Sequence, residues 1–187
     1  GQGGWGGGSS SSSNDYKLTF NGGYTYVNAA GDGLDSNGDM FINGGYIFVS
    51  QTGGGNGPLD CGDNNNSINY TGGVLVAGGS SDMFETPSSY SFLTSSSLAA
   101  GSTVTFTDSN GTVLATMTFA NSSSKMVMSA PENSVTCYTG GTLSGTTYFP
   151  SSTSDANRSV VCGYGGTISG GTTVSASSGG GGGGWNW

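Results

Sequence analysis

The chain has 187 residues, of which 38 are glycine, 33 % are hydrophobic, 7 % are charged and none is histidine. Globular chains run to about 45–50 % apolar with glycine counted, so a wide apolar core is excluded, while a thin column buried between stacked rungs stays open. A net charge of −8 with Lys17, Lys125 and Arg158 as the only cations excludes a nucleic-acid footprint, and no run approaches the roughly 18 apolar residues of a membrane span.

Residues 1–16 form a Gly/Ser-rich tail that carries Trp5. Three segments then align on a glycine pair: LTFNGGYTYVNA (18–29), MFINGGYIFVSQ (40–51) and INYTGGVLVAGG (68–79), at spacings of 22 and 28 residues. Apolar residues alternate on both sides of each pair, which is the period of a strand. Stacking the segments predicts one column of Tyr24, Tyr46 and Val74 and another of Tyr26, Phe48 and Val76. That face is expected to be solenoid core rather than a sugar-stacking strip. Between the segments lie two acidic corners, GDGLDSNGD (31–39) and GNGPLDCGD (55–63), with a weaker third at GGSSDMFETP (78–87).

Residues 101–120 read as two alternating strands around Asn110-Gly111, a strong hairpin signal. SVTCYTGGTLSG (134–145) and SVVCGYGGTISG (159–170) repeat at a period of 25 residues, making Cys137 and Cys162 equivalent. Paired strands would bring their Cα atoms to about 5 Å, within disulfide reach. Cys61 is the odd thiol, and an oxidising, extracellular compartment is expected. The C-terminal tail, residues 177–187, ends in Trp185 and Trp187. A free tail gains nothing from exposed tryptophan, so both tails are expected to dock, for instance on a neighbouring copy.

The fold expected is all-β: a short right-handed parallel β-helix or solenoid over residues 17–100, followed by an antiparallel β region over residues 101–176. DGLDSNGD, INGGYIFVSQ, NGPLD and GGVLVAGGSSDM resemble a family of bacterial extracellular carbohydrate-binding proteins with a pectate-lyase-like parallel β-helix. GSTVTFTDSNG, MSAPENSVTCYTGG and the two GGT-[LI]-SG stretches fit as well, and the resemblance covers roughly residues 17 to 176. It implies calcium at the acidic corners and a polysaccharide ligand, such as cellulose or pectate.

Calcium takes six to eight oxygen ligands, and the corners supply Asp32, Asp35, Asn37, Asp39, Asp60, Asp63 and Asp82. Stacked rungs would bring Asp35 and Asp60 close, where unpaired carboxylates repel. The other reading is that these residues only brace turns. Asp35-x-Asn37-x-Asp39 opens like a helix–loop–helix calcium loop, but Met40 replaces its glycine and Tyr46 its terminal glutamate. With no histidine as general base, no catalysis is expected. The function expected is therefore a structural or adhesive homo-polymer. A monomeric polysaccharide-binding module is the alternative.

Overall fold

The computed structural model describes residues 16–62, 65–94, 97–147, 160–161 and 163–178. These residues form strands, turns and bends, with no helix among them, and hence no helix long and apolar enough to cross a membrane.

The repeats fold as the alternation dictates. β1 (Lys17–Ala29) pairs parallel with β3 (Asp39–Gln51), and β3 in turn pairs parallel with β5 (Ile68–Tyr70) and β6 (Val74–Gly79). The corners contribute β2 (Leu34–Ser36) and β4 (Leu59–Cys61), also parallel. The register is like on like: Tyr24 lies beside Tyr46, which lies beside Val74, and Tyr26 beside Phe48, which lies beside Val76.

Each strand bends at its glycine pair. The second glycine is left-handed, at φ +83° for Gly23, +91° for Gly45 and +90° for Gly73, a conformation that costs other residues roughly 1–2 kcal/mol. The backbone of the preceding segment also closes on the later pairs. A Cβ on Gly44 would stand 2.8 Å from the Asn21 carbonyl oxygen, and one on Gly73 would stand 2.7 Å from that of Gly45.

The bend reverses the phase of the strand. Before it, even-numbered residues point inward: Met40, Ile42, Ile68 and Tyr70 share a core with Leu34 and Leu59 of the corners. After it, odd-numbered residues do so: Ile47, Val49, Leu75 and Ala77 join the same core. The column of Tyr26, Phe48 and Val76 is therefore core, as expected, but not the core of the turn. It faces the other way, into a second apolar cluster.

That second cluster is closed by the rest of the chain. β7 (Ser91–Thr94), β8 (Thr103–Thr107), β9 (Val113–Thr118), β10 (Lys125–Ser129) and β11 (Thr136–Thr139) are followed by β12 (Thr142–Thr147), β13 (Val160–Val161), β14 (Gly163–Ser169), β15 (Thr172–Val174) and β16 (Ser177–Ser178). The hairpin predicted around Asn110-Gly111 is β8–β9. Its loop is held by the Asp108 carboxylate, which accepts from the Asn110 and Thr112 amides at 2.8 Å each.

β10 runs antiparallel beside β6, and β7 and β16 follow, giving a mixed sheet in the order β1-β3-β6-β10-β7-β16, with β5 on β3. Parallel pairing thus stops at β6, and Gly78 and Gly79, expected in a third corner, end that strand. A second, antiparallel sheet, β13-β9-β8-β11-β15, covers the outer face. Phe106, Ala115, Met117 and Cys137 from it pack with Phe48, Val76, Met126 and Met128. β12 and β14 form a separate antiparallel pair.

Candidate functional site: the acidic corners

In β2 and β4 the short strands alternate. Leu34 and Ser36 turn inward over Leu59 and Cys61, leaving Asp35 exposed and Asp60 half-buried on the outside. The register sets Asp35 directly beside Asp60, as the stacked corners predict. Among the described residues this is the one carboxylate pair that the parallel register itself creates.

Three more of the corner acids accept from backbone amides. Asp32 Oδ1 accepts from the Gly57 amide at 2.9 Å, and Asp39 Oδ1 from the Ser67 amide at 2.9 Å. Asp82 Oδ2 accepts from the Gly55 amide at 3.2 Å. Each bond spans 25 to 28 residues, the length of one repeat, and not the two or three of a local turn. Asp32 and Asp82 hold the loop of residues 53–57 from opposite sides, one from the preceding corner and one from the following. A bond from a neutral donor to a charged acceptor contributes about 1.5–3 kcal/mol, so these carboxylates brace successive corners against each other. Asn37 is exposed, with its carbonyl oxygen against Gly62. Among the described residues no three acidic, cysteine or histidine side chains gather as one metal-holding group.

Asp63, Cys162, Trp5, Trp185 and Trp187 lie outside the described residues, so the expected disulfide and the tail contacts lie outside them too. Among the described residues Cys61 and Cys137 have no disulfide partner, and both are buried.

Three features escaped the sequence reading. Glu85 Oε2 accepts from the Cys61 amide at 2.6 Å, a brace across 24 residues like those of the aspartates. Buried Gln51 donates to the Thr52 and Gly53 carbonyls and accepts from the Ser80 amide at 2.9 Å. A side-chain ladder crosses the glycine bends: Thr71 donates to Asn43 at 2.8 Å, and Asn43 to Asn21 at 3.0 Å. The signal for the ladder was a polar residue immediately before each glycine pair.

Two aromatic features stand apart from the corners. Tyr24 and Tyr46 stack at 5.2 Å with planes 6° apart, and Tyr24 is 46 % exposed. Tyr90 is a bulky residue held at φ +52°, 48 % exposed, beside a shallow cleft lined by Phe92, Glu132, Asn133 and Ser178. Comparison with protein-family models, with curated proteins and with solved structures returns no match.

Proposed function

We propose that this is a non-catalytic, extracellular structural or adhesive protein: a β-solenoid subunit that assembles through its tails into a filament or surface layer. The observation that carries the reading is the like-on-like parallel register of residues 17–29, 39–51 and 68–79. Repeats stacked this way gain stability from their neighbours, which suits a load-bearing polymer better than a reaction centre. The fold proposed for this part is a short right-handed parallel β-helix. The corner carboxylates support it, since Asp32, Asp39 and Asp82 each accept from the backbone of an adjacent repeat.

Calcium belongs to the same proposal. The fit of the described residues is a two-carboxylate site at Asp35 and Asp60, where a cation would offset the repulsion of like charges at one register position.

Electron microscopy of the intact protein and of a chain lacking residues 179–187, each with calcium and with chelator, tests the assembly. Filaments that disappear with the tail carry the proposal, and monodisperse particles in every condition sink it. For calcium, the expected result is a rise in melting temperature on adding the ion that Asp35→Ala abolishes without lowering the calcium-free value.

The strained, exposed Tyr90 beside Glu132 and Asn133 favours a second reading, a polysaccharide-binding module. Backbone strain at an exposed ring is a feature of ligand sites. Retardation on glycan-affinity gels that Tyr90→Ala removes would support it.

A further inference from the structure

β1 is a 13-residue strand that has a strand partner only on its β3 side among the described residues. Such an edge offers a row of unpaired amides and carbonyls, which proteins usually blunt with charge, proline or cover. β1 has no proline, and Lys17 at its first position is its only charge.

Its glycine pair is the informative element. Gly44, Gly45, Gly72 and Gly73 have no room for a Cβ because another backbone lies against them. At Gly22 and Gly23 nothing among the described residues lies within 4 Å of the Cβ position. Gly23 is left-handed and needs glycine for that reason, but Gly22 is not. No contact within the described chain accounts for glycine at position 22. The Asn ladder is also open here, since Asn21 only accepts from Asn43.

We propose that the β1 edge pairs antiparallel with β1 of a second copy, about a two-fold axis between Gly22 and Gly23. Within a folded copy β3 and β6 are paired on both edges, so β1 is the repeat strand with an edge to offer. The phase reversal at the bend selects the axis. In a regular strand, an axis between two residues would set inward residues against outward ones. Here it sets Leu18 opposite the second copy's Val27, both inward, and exposed Thr19 opposite its Tyr26, both outward. Lys17 falls opposite Asn28, so no like charges meet. The two glycine pairs cross at the axis, where the absence of Cβ lets the backbones approach as they do at Gly44 and Gly45. The contact is closed and isologous, and it is independent of the tails.

Hydrogen exchange of the full chain, read with sedimentation at low and high protein concentration, tests this. The expected result is protection of the β1 amides that rises with concentration. Gly22→Lys should abolish that rise, because its side chain meets none of the described residues of its own copy but places two ammonium groups at the axis. At the low concentration, where both are monomeric, the variant should keep the wild-type melting temperature. Protection at every dilution, as cover by the chain's own residues 1–15 would give, overturns the proposal. So does exchange that stays fast at high concentration, or association that Gly22→Lys leaves unchanged. Tail-dependent filaments whose β1 amides exchange freely would overturn this pairing and leave the assembly reading standing.

Discussion

Burial sets the chemistry of the two described thiols. Removal from water pushes Cys137 up to about 12. Cys61 is also pushed up to about 12, first by burial, then by its contact with Glu85 and the nearby charges of Asp60 and Asp39. A raised thiol keeps its proton in the folded chain after the unfolded chain has lost it. The stability this contributes is complete below the unfolded value of 9.0 and is lost as pH rises toward 12. Two outcomes are expected: iodoacetamide at about pH 8 labels Cys61 and Cys137 only after denaturation, and the urea midpoint falls as pH passes 9. Rapid native labelling of either residue, read by mass spectrometry, would refute the burial argument. The aspartates of the corners were visible in the sequence as a cluster of oxygen donors. Their partners were not, because a bond to a backbone amide 25 residues away depends on register and not on residue type.

At the scale of the element, the glycine pairs offer a matched comparison. Gly22 and Gly44 are each the first glycine of the pair in β1 and β3, and neither is left-handed. They differ in that Asn21 closes on Gly44 while nothing among the described residues closes on Gly22. Gly44→Ala is expected to destabilise by about 1–3 kcal/mol, the usual cost of overpacking. Gly22→Ala should be neutral or slightly stabilising, since alanine has less backbone entropy to lose. Equilibrium denaturation of the two variants decides this, and equal losses would mean that stacking is not what demands glycine. The strands and the repeat spacing were legible because alternation and glycine punctuation are local signals. The change of face at the bend was not, because period-two counting continues across two glycines without showing that the chain has turned.

At the scale of the whole molecule, β3 and β6 belong to two cores at once. Ile47, Val49 and Leu75 fill one, while Phe48 and Val76 fill the other. Neither core can be lost without exposing one side of the same strands. Unfolding should therefore be a single transition, with coincident near- and far-ultraviolet circular dichroism curves. Phe48→Ala, at a fully buried position between the sheets, should cost about 3–5 kcal/mol and shift that transition without splitting it. Two separated transitions would show that the repeats and the antiparallel sheet are independent units.

By itself the sequence determined the all-β class, the three repeat strands, their like-on-like stacking and the Asn110-Gly111 hairpin. Each follows from side-chain period, glycine position or turn chemistry within a few residues. Tertiary structure alone decided where the parallel pairing stops, which core receives Tyr26, Phe48 and Val76, and that β10 extends the sheet beside β6. Those outcomes depend on contacts between residues far apart in sequence. For β10, an apolar strand pairs wherever an edge with matching faces is left open, and only the assembled sheet shows which edge that is.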